Sequence, residues 1–180
     1  LQDVREKHEI YIKSDTRLRT MIPKLSELKR HWKNFLRSSL LGTWIGILPG
    51  AGSTTAALIS YDQAHKASKN PETFGKGNIE GVIAAETANN AVIGGAFIPT
   101  LTLGIPGDSP LAVMLAALTI HGLQAGPLLF KTNPEDISLI MMALWVSSIL
   151  MILLGLFGAK FFIQALKIPK PILLPIIVCL

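Results

Sequence analysis

The sequence predicts an all-α, polytopic membrane protein whose transmembrane helices are discontinuous, broken at Pro-Gly pairs or folded as re-entrant hairpins. Three observations carry this. Only 16% of the 180 residues are charged, against about 25% in soluble domains, and the mean hydropathy is +0.44. Residues 38–61, 87–107, 109–130 and 137–159 contain no Asp, Glu, Lys or Arg, and each is near the roughly 20 residues that a helix needs to cross a hydrocarbon core. A Pro-Gly pair interrupts the first of these stretches, and another separates the second from the third.

The charge is uneven. Residues 1–37 hold ten Lys/Arg and five Asp/Glu, and the other 143 hold seven of each. The net +5 therefore sits in the first fifth of the chain. We divide the sequence into a basic cytoplasmic or interfacial segment, 1–37, and a membrane domain, 38–180, incomplete at both ends. The chain reads as an internal piece of a longer protein. One cysteine, Cys179, excludes an internal disulfide framework or a cysteine-built metal site.

Within 1–37, "IPKLSELKRHWKNFLR" puts Leu25, Leu28, Trp32, Phe35 and Leu36 at helical spacing with Lys24, Lys29, Arg30, Lys33 and Arg37 between them. That pattern suits a helix on a membrane surface and equally a solvated connector. The excess of Lys and Arg favours the cytoplasmic side. At the far end, 137–159 reads as one clean spanning helix followed by Lys160, Lys167 and Lys170. Four crossings between these flanks would leave both on one side, and Lys66, Lys69 and Lys76 of the connector on the other.

"GILPGAG" interrupts the first apolar stretch, and "GIPGDSP" separates the second from the third. Proline removes a backbone donor and crowds the preceding turn; glycine leaves the helix at little steric cost. Each Pro-Gly pair is therefore expected to end one helix and begin another. Unwound backbone at membrane depth must be buried in protein or line a wet cavity. A half-helix N-terminus suits an anion, and exposed carbonyls suit Na⁺. Gly50, Ala51, Gly52, Ser53 and Thr54 form one candidate cradle; Gly107, Asp108 and Ser109 form the second. Asp108 either helps to hold a cation or caps the helix it precedes.

"ETANNAVIGG" places Glu86, Asn89 and Asn90 on one side of a helix. Ala84, Ala88, Ala91 and Gly95 form a small-residue stripe for close helix approach. The polar side is expected toward a shared interior. An acid at membrane depth is by default a functional hypothesis. Glu86 ligates Na⁺ or carries a coupling proton, Asn90 shares in that ion site, and Asn89 and Asn90 bind a carboxylate substrate or bond between helices.

"GILPGAGSTTAALISY", "FGKGNIEGVIAAETANNAVIGGAFIPTLTLGIPG" and "LTIHGLQAGPLLF" resemble the large membrane subunit of the tripartite tricarboxylate transporter family. The resemblance covers roughly residues 40–175. Ala85 and Ala125 stand where the family commonly has proline, and Asp108 where a small residue is usual. The resemblance implies a multi-pass subunit of the bacterial inner membrane with two partners, a small membrane subunit and a periplasmic solute-binding protein. It implies uptake of a tricarboxylate or related organic acid by symport driven by a Na⁺ or H⁺ gradient. It also implies an earlier half of the subunit with its own Pro-Gly break, so that the site here is half a site.

No enzymatic activity, resident cofactor or nucleic-acid partner is expected. "GAGSTT" lacks the lysine and third glycine of nucleotide fingerprints. A channel or passive pore for small anions is the alternative. A second is an intramembrane hydrolase using Ser109, His121 and Glu86.

Overall fold

The computed structural model describes backbone for residues 23–165 and side chains through residue 159. The expectations for residues 1–22, Lys160, Lys167, Lys170 and Cys179 lie outside the described residues. Within them the structure is all helix: α1 (Leu25–Arg30), α2 (Trp32–Gly46), α3 (Gly52–Ala67), a 3-10 turn (Pro71–Thr73), α4 (Ile79–Leu103), α5 (Ser109–Ile120), α6 (Leu129–Thr132) and α7 (Pro134–Ala165). Residues Leu25–Ala143 form one compact unit. α7 from Leu144 onward falls in a second.

The first unit is built on α2, α3 and α4. Gly42 and Gly46 of α2 face Ala88, Val92 and Gly95 of α4 so closely that a Cβ on Gly42 would lie 2.5 Å from the Ala88 carbonyl oxygen. A Cβ on Gly46 or Gly95 would likewise run into the backbone opposite. The sequence supplies glycine because backbone meets backbone here. Ala84, Ala88, Val92 and Ala96 of α4 and Ala56 and Ala64 of α3 are buried, so the small-residue stripe is a packing face as expected, with Ala91 only half-buried on its margin.

The pairs Asn34–Glu80, Gly42–Ala88 and Gly46–Val92 run in the same direction, so α2 and α4 are parallel. Asn34 Nδ2 donates to the Glu80 carbonyl at 2.8 Å. Arg37 Nη2 donates to Asn34 Oδ1 at 2.8 Å. His31 Nδ1 lies 3.8 Å from Glu80 Oε1, an ion pair when His31 is protonated. These contacts pin the two helix starts together. α3 returns beside the pair, against both, and the connector after it folds Phe74 edge-on against Tyr61 and His65. Asn78 then caps α4, accepting from Glu80 N at 2.8 Å.

This return takes the hairpin form expected as one alternative at a Pro-Gly break, rather than the crossing counted in the four-span parity. Residues 38–61 are not one span but a hairpin folded at Pro49. It brings Lys66, Lys69 and Lys76 to the same end as Lys33 and Arg37, not the opposite one. Residues 109–130 also fail as a single span, because α5 has 12 residues and extends about 18 Å across a core of about 30 Å. Pro134–Ala159 is long and apolar enough to cross a membrane, the one such helix among the described residues. α4, with 25 residues, has the length, about 37 Å, and fails on apolarity where Glu86, Asn89 and Asn90 interrupt it.

Helix α4 runs through Pro99 and stops at Gly104, whose φ of 70° closes a left-handed cap; its N–H donates to the Thr100 carbonyl at 3.1 Å. The His121–Leu128 loop then folds back, and Gly126 N donates to the Leu101 carbonyl at 2.9 Å. Outward from this unit, Trp32, Leu36, Leu40, Trp44 and Leu48 recur every four residues and are all exposed.

Substituting Gly42, Gly46 or Gly95 by Val is expected to lower the stability of the folded chain by about 1–3 kcal/mol or more. Gly94, with no atom within 4 Å of its added Cβ, should accept Ala without loss. Melting temperatures of the detergent-solubilised variants check the contrast.

Candidate functional site

The two Pro-Gly breaks meet. α2 ends at Gly46 and α3 begins at Gly52; α4 ends at Leu103 and α5 begins at Ser109. Between them, Gly50 N–H donates to the carbonyl of Gly107 at 3.2 Å. Gly107 in turn donates its N–H to Thr100 Oγ1 at 3.3 Å. Thr100, fully buried, donates to the Ala96 carbonyl at 2.6 Å. A Cβ on Gly107 would lie 2.5 Å from Ala96 Cβ, so only glycine lets this loop lie on α4. Gly50 is held for another reason: its φ is 77° and nothing lies within 4 Å of its added Cβ. It turns the chain rather than admitting a close neighbour.

The cradle expected at the first break divides. Gly50 N–H is taken by Gly107, and Ala51 N–H donates to the Leu48 carbonyl at 3.2 Å. Gly52, Ser53 and Thr54 form the first turn of α3, and no side chain caps that turn. Thr54 is exposed, and Gly52 and Ser53 are half-buried. The start of α3 therefore presents N–H groups and the positive end of the helix dipole without a neutralising carboxylate of its own.

The second break differs in kind. Asp108 is the N-cap of α5, and its Oδ1 accepts from Leu111 N at 3.0 Å. Gly107 spends both backbone groups on Thr100 and Gly50. Ser109 is exposed in the first turn. Of the two roles open to Asp108 in the sequence, the capping bond is the one this geometry contains.

Glu86, Asn89 and Asn90 lie on the side of α4 away from its buried face, and all three are exposed in this chain. Glu86 and Asn90 line a shallow groove with Phe35, Ser39, Thr87 and Ala91. Asn90 Nδ2 donates to the Glu86 carbonyl at 2.9 Å. The interior shared by α2, α3 and α4 is filled by alanine, glycine, Ser38, Ser60 and Val92, so the trio does not point there. Along α4, Glu86 is about 15 Å from Ala96, where the second break docks. The fold joins the two breaks and leaves the acidic and amide side chains as a separate patch on the same helix.

The hydrolase arrangement does not form. Ser109 opens α5 and His121 closes it, about 18 Å apart along the axis, far beyond the hydrogen-bond reach a nucleophile and its base require. Sequence reasoning missed Thr100. A threonine in an apolar helix just before Gly104 resembles its neighbour Thr102, and only the fold separates the two.

The chain matches the family model described as "Tripartite tricarboxylate transporter TctA family" over residues 1–180. It is 38% identical over 143 residues to a 52.8 kDa uncharacterized protein in the TAR-I ttuC' 3' region of Agrobacterium vitis, covering 79% of this chain and 28% of that one. It is 38% identical over 137 residues to an uncharacterized protein in the TAR-II ttuC' 3' region of the same organism, covering 76% of this chain and 57% of that one. The aligned part thus spans well under two thirds of either relative. No solved structure matches.

Because Asp108 caps α5, Asp108→Ala is expected to cost about 1 kcal/mol of stability, and Asp108→Asn, which keeps the capping oxygen, a few tenths at most. Denaturation of the purified variants in detergent measures the difference.

Proposed function

The chain belongs to the tripartite tricarboxylate transporter TctA family, and on that premise we propose that it forms part of the membrane subunit of a secondary transporter importing a tricarboxylate or related organic acid. The observation that carries this reading is the hydrogen bond from Gly50 to Gly107, which sets two helix breaks side by side. Broken helices that meet within an apolar domain are the arrangement by which transporters expose backbone groups to a substrate.

In this reading the open first turn of α3, at Gly52, Ser53 and Thr54, takes a carboxylate group of the substrate. Gly50, Ala51 and Gly107 hold that turn in place. Ser109 adds a hydroxyl beside it. Asp108 offsets the dipole of α5, so the two breaks are unequal, one attractive to anions and one neutralised. That asymmetry leaves the second break to contribute oxygens to a coupling cation, Na⁺, or to none at all.

Glu86, Asn89 and Asn90 turn away from the packed interior of this unit. We assign them to the interface with the remaining part of the longer subunit, where Glu86 carries the coupling ion or proton and the two amides meet the substrate. An acid and two amides facing lipid would be costly, so another protein surface or a wet cavity is the environment they require. The outward stripe Trp32, Leu36, Leu40, Trp44 and Leu48 faces the bilayer. The basic end, with Lys33, Arg37, Lys66, Lys69 and Lys76, faces the cytoplasm of a bacterial inner membrane. A small membrane subunit and a periplasmic solute-binding protein complete the assembly.

The test is uptake of labelled citrate and other organic acids by vesicles containing the full complex, with binding protein added and Na⁺ and H⁺ gradients imposed separately. Glu86→Ala, and Asn89→Ala combined with Asn90→Ala, are expected to abolish uptake while the subunit stays in the membrane at wild-type level. Wild-type uptake in both would remove the coupling and substrate roles; uptake that only runs downhill and ignores both gradients would mean a channel.

The hairpin makes a second prediction. In a background with Cys179→Ser, cysteines introduced at Lys33 and Lys69 should react with an impermeant thiol reagent from the same side of the membrane. Labelling from opposite sides would return residues 38–61 to a single span.

A further inference from the structure

We propose that Thr100 is a positioning residue for transport: its hydroxyl holds the second Pro-Gly break against the first, and so sets the affinity for the carried anion. The inference rests on the transport reading above and adds a residue to it.

Thr100, Thr102, Thr119 and Thr132 all donate their hydroxyl to the carbonyl four residues back, the ordinary habit of a helical threonine. Of these four, Thr100 alone also accepts a bond from outside its helix, from Gly107 N–H. A hydroxyl that donates is polarised into a better acceptor. The result is one continuous chain of bonds from the Ala96 carbonyl through Thr100 to Gly107, and from the Gly107 carbonyl to Gly50. It links the body of α4 to the turn that precedes α3.

The link has no substitute nearby. Gly107 is buried, so its N–H cannot turn to water, and a buried donor left unpaired is strongly disfavoured. Valine at position 100 keeps the shape and removes the acceptor. Gly107 must then leave Ala96 to find another partner. Gly50 loses the carbonyl it donates to, and the first turn of α3 loses its fixed place. Binding by preorganised backbone N–H groups is sensitive to displacements of about 1 Å, so the loss should appear in substrate affinity before it appears in the amount of folded protein.

The experiment uses the full transporter complex in vesicles with labelled citrate as probe, and the same complex in detergent for amide hydrogen exchange. Thr100→Val should raise KM for citrate about tenfold and change kcat by less than about twofold. Exchange in the peptides containing Gly50 and Gly107 should speed up together by about tenfold, while residues 79–90 of α4 stay protected. Thr100→Ser, which keeps the hydroxyl, should restore both readouts. Thr100→Ala serves as a second hydroxyl-free variant if the valine form does not reach the membrane.

Unchanged exchange at either break in the hydroxyl-free variants overturns the proposal. So does faster exchange with an unaltered KM, and so does a serine variant that behaves like valine. A wild-type complex that imports no organic acid overturns the transport reading, and the affinity claim with it. Exchange in the same samples then still reports whether Thr100 clamps the breaks, so the two failures are told apart.

Discussion

The close approach of α2 to α4 is the constraint on which the rest of this structure depends. Two parallel helices can touch backbone to backbone only where side chains are absent, and Gly42 and Gly46 of α2 provide that absence against Ala88 and Val92, as Gly95 of α4 does against Thr43. Parallel neighbours need a return path. α3 is that path, and its own buried face is made of Ala56, Ser60 and Ala64. The return must begin at a sharp turn, which fixes the first break at Pro49-Gly50 beside the upper part of α4. The second break then has something to bond to.

From that geometry the two breaks acquire different characters despite similar sequences. The first ends in an uncapped helix start; the second ends in a helix start whose capping oxygen belongs to Asp108. The backbone of Gly107 is consumed in holding the pair together, and the backbone of Gly52 to Thr54 is not. Of the two breaks, only the first leaves a helix start without a side-chain cap, although the sequence suggested a cradle at both. The polar patch on α4 stands apart from both. Its three side chains share a helix with the breaks but not a surface.

Much of this was legible in the sequence. The helical class, the break positions and the alanine-glycine face followed from Pro-Gly pairs and from small residues at helical spacing, because those signals are local. The pairing of the breaks was legible only as a likeness between "GILPGAG" and "GIPGDSP"; that they bond to one another is a long-range fact. Counting apolar stretches misled where it treated each as a crossing. Residues 38–61 have the length of a span and contain the turn that makes them a hairpin, and residues 109–130 stop being helical at His121. The direction of Glu86 escaped because Ala84, Ala88 and Gly95 and the acidic-amide trio occupy opposite sides of one helix. The sequence shows both sides and does not say which neighbour each will meet. Thr100 escaped because its role depends on a loop seven residues further on.

The hairpin formed by α2 and α3 bears on how such a chain enters a membrane. From Ser38 to Tyr61 it carries no formal charge, and both of its ends lie on the basic side of the unit. Its tip can be pushed in from a single leaflet, without ferrying a lysine or arginine through hydrocarbon. The Gly50 N–H at that tip finds the Gly107 carbonyl only after α4 has followed. For the membrane subunit proposed above, that order of contacts would be the order of assembly: a needle that enters bare, and a later segment that dresses its point.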